Sequence, residues 1–296
     1  MELRHLRYFL AAAEGLHFGR AARRLHISQP TVSQQIRELE EELGAQLFER
    51  RGRGVRLTPA GELFRTYASR AIEDVAAGGR ALDALAKREV GELRVAYLPS
   101  MTAGVVVPAV ASVLRKHPGV KVVAYEGVSR RVERLVIEGK ADVGLGLLPA
   151  RAAGLEPEPL LEGRLALVVP VQHRLAKEST ASLRDLEDEP FALLSRSLRA
   201  RAMADALFAR ARISPRLVLE ADAVATILSV VRAGLAITVL PEPRIAAADR
   251  LAVVALRPLP PTHVAALFFR RDAPRSALAQ AFAAEARAIA GTPESW

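Results

Sequence analysis

Apolar residues between Leu3 and Leu47 recur at helical spacing: Leu6, Phe9 and Leu10, then Ala21, Ala22 and Leu25, then Val32, Ile36, Leu39 and Leu43. Breaks at Gly15-Leu16-His17 and His26-Ile27-Ser28 divide this stretch into three predicted helices. From Phe48 to Leu57 the chain turns basic and glycine-containing, which predicts a hairpin. Thr58-Pro59 then supplies an N-cap and a first-turn proline for a fourth helix that runs without another proline to about Arg88. On it Phe64, Ala68, Ala71, Val75, Gly78, Leu82 and Leu85 alternate steps of four and three, the spacing of a coiled-coil seam. The alternative is a helix lying on its own domain. The length of the seam, with no adjoining strands, favours dimerisation through Phe64, Ala68, Ala71, Val75, Leu82 and Leu85.

Beyond Gly91 the pattern changes to strand and helix in alternation. Strands are predicted at Leu93–Leu98, Val120–Tyr125 and Ala141–Leu147, with helices at Thr102–His117 and Ser129–Glu138. A second series places strands at Leu165–Val169, Phe191–Leu194, Leu217–Glu220 and Ala236–Val239, with helices near Ala200–Ala211 and Ala223–Arg232. Such repetition predicts an α/β domain of mostly parallel sheets covered by helices.

Composition narrows the chemistry. The 296 residues are long enough for a small unit plus one larger domain, and half of them are hydrophobic, so a substantial core can form. A net charge of +9 favours an acidic partner, nucleic acid or an anionic surface. Absence of cysteine excludes disulfides, thiolate catalysis and cysteine-based zinc sites. The first residues do not form a signal-peptide core and no apolar run is bilayer-length, so a cytoplasmic location without membrane contact is expected.

The sharpest motif runs from Ala21 to Ile36. Ala21 and Ala22 are small enough for two helices to cross, and Leu25, Ile27, Val32 and Ile36 anchor them. Ser28 is a plausible N-cap for a second helix that opens with Pro30, and Gln29, Thr31, Ser33, Gln34 and Arg37 are polar neighbours of its buried stripe. A helix-turn-helix presents the N-terminal turns of its second helix to the major groove, where Gln pairs with adenine and Ser or Thr with bases or phosphate. Arg50, Arg51, Arg53 and Arg56 in the following hairpin suit phosphate contact.

The blocks Leu3-Arg4-His5-Leu6-Arg7-Tyr8-Phe9, Ala21-Ala22, Leu25 to Pro30, Leu39-Glu40, Leu43-Gly44, Leu47 to Arg50 and Leu57 to Gly61 resemble the LysR-type transcriptional regulators. The match is close over about the first 65 residues and architectural beyond them. His17 departs from the Ser or Asn frequent at that helix cap, which predicts a weaker cap. Within the family, Arg65 to Ala71 and Leu165 to Val169 resemble the cyanate-operon regulators.

The resemblance implies a winged helix-turn-helix over 1–58, a linker dimerisation helix over 59–88 and a two-lobed, periplasmic-binding-protein-like sensor over 91–296. Its first lobe is expected at about 91–161 and 267–296, and its second at about 162–266. It further implies a homodimer and homotetramer on double-stranded promoter DNA, RNA polymerase as a further partner, and activation or repression set by a small effector between the lobes. Ligands of parallel sheets collect beyond strand carboxyl ends, near helix N-termini that favour anions. Ser100, Thr102, Ser129, Ser195, Arg196 and Thr238 stand at such places, so a small anionic effector is expected there.

Three rival readings are weaker. An enzyme finds no nucleophile elbow, Walker loop or dinucleotide fingerprint, and Gly144-Leu145-Gly146 leads into Leu147-Leu148-Pro149 rather than a helix start. The six histidines are scattered, so neither a metal nor a cofactor is expected. A transporter's solute-binding component would share the two lobes but not the helix-turn-helix. A nonspecific nucleoid protein would have no use for a sensor.

Overall fold

The computed structural model describes residues 1–51, 54–87, 91–241 and 250–291, and within these the side chains of 50, 51, 80, 81 and 83–87 are left out of the description. The chain divides into two compact units, Met1–Gly91 with Ile137–Lys140, and Glu92–Val136 with the residues from Ala141 onward.

The first unit opens with α1 (Leu3–Gly15), α2 (Phe18–Leu25) and α3 (Gln29–Leu43). Leu16 and His26 take left-handed backbone conformations just after α1 and α2, and Gly44 does so after α3. The Nδ1 of His17 accepts the Gly19 N–H at 3.0 Å, so the imidazole caps α2 itself. The ring nitrogen reaches the orphan donor that a short side-chain oxygen meets at other helix starts.

The hairpin pairs β1 (Phe48–Arg51) with β2 (Gly54–Leu57), and α4 (Pro59–Lys87) follows. Thr58 Oγ1 accepts the Gly61 N–H at 3.0 Å, the predicted cap. A Cβ at Gly61 would lie 2.1 Å from the Leu47 carbonyl oxygen, so only glycine lets α4 pass this close to the hairpin. The core is built on Phe9, whose ring lies 5.4 Å from Phe48 and 5.1 Å from Phe64, with Val32, Ile36 and Leu39 buried beside it.

α4 corrects part of the predicted seam. Ala68 is buried, and Phe64 and Ala71 pack against the core of their own unit, because the first turns of α4 lie on α1. Further along, Val75 is 54% and Leu82 68% exposed, and Leu63 and Tyr67 are exposed on the flank of the early turns. Leu85 lies among the side chains outside the description.

In the second unit, β3 (Glu92–Tyr97), β4 (Lys121–Glu126), β5 (Val143–Leu147), β6 (Leu155–Gly163) and β13 (His263–Arg270) form one sheet in the order β4-β3-β5-β13-β6. It carries α5 (Val107–Lys116), α6 (Ser129–Ile137) and α9 (Ala277–Ala290). A second sheet, β11-β7-β12-β8, uses β7 (Leu165–Pro170), β8 (Thr180–Ser182), β11 (Thr238–Pro241) and β12 (Leu251–Arg257). β9 (Pro190–Leu194) and β10 (Arg216–Ala221) pair beside it, with α7 (Arg199–Ala211) and α8 (Val224–Arg232).

The mostly parallel expectation is corrected here. β3 is parallel to β4 and β5, but β13 is antiparallel to β5 and β6, and β7 is antiparallel to β11 and β12. β6 leads the chain out of the first sheet and β13 brings it back, so the two run in opposite senses. The first sheet consequently keeps Glu162 and Gly163 and takes His263–Ala266, residues expected in the second lobe. Gly144 and Gly146 are packing residues: added Cβ atoms would lie 2.8 Å from Val136 and 2.3 Å from Phe268.

Buried charges tie the layers. Arg94 donates from its backbone to Asp142 Oδ2 at 2.7 Å and from its guanidinium to Oδ1 at 2.9 Å, joining β3 to the entry of β5. Arg201 on α7 donates to the Leu194 carbonyl, Asp205 and Glu220. Burial lowers its pKa, but these carboxylates outweigh that and hold it raised. Among the described residues no helix is long and apolar enough to cross a membrane.

Candidate DNA interface and ligand cleft

α3 projects its polar residues from the buried Val32, Ile36 and Leu39 stripe. Ser28 Oγ accepts the Thr31 N–H at 3.2 Å and contacts Thr31 Oγ1 at 2.7 Å, so the N-cap also fixes one candidate base-reading hydroxyl. Pro30 occupies the first turn as expected. Gln29, Pro30, Thr31, Gln34 and Arg37 are exposed, and Ser33 is half-buried.

These side chains are held in a small network. Arg37 donates to Gln34 Oε1 at 3.0 Å, and Gln34 Nε2 donates to Glu38 Oε1 at 3.0 Å. Gln34 therefore presents its amide in a set orientation, a condition for bidentate pairing with adenine. Glu40 faces the other way: its Oε1 accepts the Leu47 N–H at 2.7 Å and the Phe48 N–H at 3.0 Å, fastening the hairpin to α3. In the hairpin Arg56 is exposed and paired with Glu49 at 2.5 Å. Arg50 and Arg51 stand on β1 with side chains outside the description, and Arg53 lies outside the described residues.

In the sensor, a cavity of about 320 Å³ opens where strand ends of both sheets meet. Ser100, Thr102 and Ser129 line it as expected. Thr102 begins a single π-helical turn, Thr102–Val106, that leads into α5, and Ser129 opens α6. The wider π turn is a local irregularity of the kind often found at functional positions. The Thr102 hydroxyl contacts the Pro99 carbonyl at 2.9 Å and Glu126 Oε2 at 3.3 Å.

None of the three residues expected from the second lobe lines the cavity. Ser195 stands behind the wall, its hydroxyl donating to Asp222, which does line the cavity. Arg196 is exposed and is not a lining residue. Thr238 is 0% exposed within β11, paired with Val168, and its buried hydroxyl has no hydrogen-bond partner in the structure.

Sequence reasoning missed Glu126, Asp222 and Arg199, which all line the cavity. Glu126 ends β4, Asp222 follows β10 and Arg199 opens α7, so the strand-end rule applied to those strands would have found the two acids. Arg199 reaches back to the end of β5, donating to the carbonyls of Leu147 at 2.8 Å, Leu148 and Pro149 at 3.2 Å. Burial, then the nearby Arg151 charge, lowers its pKa, and Glu133 partly opposes them. Glu126 in turn, after burial, raises the pKa of Tyr97. Glu126 and Asp222 bring negative charge to the lining and Arg199 positive charge.

A helix-turn-helix with a hairpin, a long helix and a two-lobed cleft define a DNA-binding, ligand-sensing regulator. Residues 3–62 match the model described as bacterial regulatory helix-turn-helix protein, lysR family, and residues 86–290 match the LysR substrate binding domain. The chain belongs to the LysR family of transcriptional regulators. It is 35% identical over 244 residues to the HTH-type transcriptional regulator AlsR of Bacillus subtilis, covering 82% of this chain and 81% of that one. It is 34% identical over 245 residues to ClcR of Pseudomonas putida, covering 82% and 83%. Among solved structures it is similar to a full-length OxyR variant from Pseudomonas aeruginosa, at TM-score 0.70 and 26% identity over 97% of this chain and 95% of that one. It is also similar to full-length CbnR in complex with its target DNA, at TM-score 0.65 and 27% identity over 98% and 100%. These relatives are transcriptional regulators rather than enzymes, and this chain combines the family's DNA-binding and effector-binding domains.

Proposed function

We propose that this regulator reads its operator with Gln29, Pro30, Thr31, Ser33, Gln34 and Arg37, while Arg50, Arg51, Arg53 and Arg56 contact phosphate. The observation that carries the reading is the ordered Ser28–Thr31 and Arg37–Gln34–Glu38 network on the exposed side of α3. Two chains pair through the exposed part of α4, where Val75 and Leu82 lack partners of their own unit, and two such dimers assemble on bent promoter DNA. The solved complex of CbnR with target DNA supports DNA as the partner. The protein acts in the cytoplasm, activating or repressing through contact with RNA polymerase.

The effector occupies the cavity lined by Ser100, Thr102 and Ser129. Glu126 and Asp222 there favour a small ligand rich in hydrogen-bond donors over an anion. Cyanate, suggested by the resemblance of Arg65 to Ala71 and Leu165 to Val169 to the cyanate-operon regulators, is the anionic alternative to compare.

Selection of bound sequences from a random DNA pool tests the reading, with footprinting repeated in the presence of small polyols, amines and cyanate. A defined palindrome whose footprint length changes with a donor-rich ligand is expected. Binding without sequence preference would overturn it in favour of a nucleoid protein. A footprint altered by cyanate alone would return the anion to this cleft.

A further inference from the structure

A second and larger cavity, of about 920 Å³, lies in the sensor, and among the described residues Arg199 is the one that lines both it and the cleft. Its walls are largely hydrocarbon, including Leu148, Leu155, Met203 and Leu207. Its polar side chains are of a different kind from those of the cleft. Arg199, Arg210, Arg271 and His263 line it, and among the described residues no aspartate or glutamate does.

The positive charge here is only partly answered. Arg199 is spent on the carbonyls that end β5, and Arg271 donates to the Leu155 carbonyl at 3.2 Å. Both are neutral acceptors that leave the cation's charge in place. Glu133, the carboxylate that bears on Arg199, is buried and already accepts the backbone N–H groups of Arg151 and Ala152 at 3.0 and 2.8 Å. Arg210 is exposed and makes no hydrogen bond or ion pair among the described residues. His263 Nδ1 is buried without a partner, and burial and then the Arg199 charge lower the pKa of the ring. A hydrocarbon-walled space under an uncompensated positive field, with a buried polar atom left unpaired, is complementary to an apolar molecule ending in one negative group.

We propose that this cavity is a second ligand site that binds an apolar monocarboxylate, its hydrocarbon against Leu148, Leu155, Met203 and Leu207 and its carboxylate toward the arginines. Arg199 lines both this cavity and the cleft, so an occupant here acts on the cleft through one shared side chain. By linkage the effect is mutual: each ligand changes the affinity of the other by the same factor.

Titration calorimetry of octanoate into the full-length protein tests this. Octanoate binds the wild type, and octylammonium binds at least about tenfold more weakly because the field repels it. Arg210→Glu and Ala206→Trp, both at exposed positions, weaken octanoate about tenfold or more while leaving the melting temperature unchanged. Ser100→Ala and Ser129→Ala, in the cleft, leave it unchanged. The proposal is overturned by no octanoate binding at millimolar concentration, or by equal binding in Arg210→Glu and Ala206→Trp. Loss confined to Ser100→Ala and Ser129→Ala would put the carboxylate in the cleft, refuting the second site but not the cleft. Should Ala206→Trp change the sedimentation coefficient while the wild type binds no octanoate, the cavity is a contact between copies of this chain, and the proposal also fails.

Discussion

The two units place their chemistry in opposite ways. On α3 the candidate reading side chains stand on an exposed face and satisfy one another, as Arg37, Gln34 and Glu38 do. The unit folds through a separate set of residues, the Phe9, Phe48 and Phe64 rings and the Val32–Ile36–Leu39 stripe. In the sensor the polar groups are part of the construction. Arg199 helps close the end of β5 and also lines two cavities, and Asp222 holds Ser195. The contrast teaches that operator preference can change at little cost in stability, whereas ligand preference is coupled to the packing of the lobes.

The largest effect expected is on assembly. Val75→Glu combined with Leu82→Glu puts charges on the exposed turns of α4, so light scattering should show loss of the dimer and palindrome binding should vanish. The sensor should keep its calorimetric transition. Dimers surviving in this variant would move the contact elsewhere and remove α4 from the comparison.

A mirrored pair of core variants comes next. Phe9→Ala should destabilise the DNA-binding unit by about 3–5 kcal/mol, the range for a buried aromatic truncated to alanine. Gly146→Val should cost the sensor about 1–3 kcal/mol, because its side chain must displace the Phe268 ring. Calorimetry should assign each loss to its own unit. One shared transition shifted by both variants would show that the units unfold as one.

Gln34→Ala should weaken binding at its cognate base pair by about 1–3 kcal/mol and relax preference there, with the melting temperature unchanged. A uniform loss across sequences would make Gln34 a phosphate contact. A drop in melting temperature would weaken the separation of reading from folding on α3.

The smallest effect concerns His263. Burial and then the Arg199 charge hold its folded pKa below the ordinary value, so the folded state resists protonation. Above the ordinary histidine pKa of about 6.5 both states are neutral and the group adds no pH dependence. As pH falls below it the unfolded chain takes up a proton first, and stability declines. His263→Asn should flatten this part of the profile of melting temperature against pH. An unchanged slope would assign the acid sensitivity to other groups.

What the sequence made legible follows the same division. The first unit's contacts are short-range, so helical spacing and the caps Ser28 and Thr58 were enough to place its helices and hairpin. In the sensor, β6 contains Pro157 and Pro159 and alternates poorly, so it resembles a loop and was not predicted. β13 follows a proline-rich stretch and pairs Leu267 with Leu145, a partner distant in sequence that local pattern could not reveal. α9 is so rich in alanine that its buried face, Phe282 and Ala286, lacks a strong polar contrast. The same limit applied to the cleft. Ser100, Thr102 and Ser129 open local turns and were found, whereas Thr238 is sealed within a sheet whose membership depends on long-range pairing.

The route of the chain between the two sheets has a consequence for any change of signal. Among the described residues it leaves the first sheet once, between Gly163 and Leu165, and returns once, between Arg257 and His263. Everything from β7 to β12 is therefore one excursion between two adjacent strands of the first sheet. The two crossings lie side by side, Gly163 paired with His263, and Arg199 ties the excursion back to the end of β5. A new chemical signal therefore needs matched changes on both sides of the cleft, where Ser100, Thr102, Glu126 and Ser129 face Arg199 and Asp222 of the excursion.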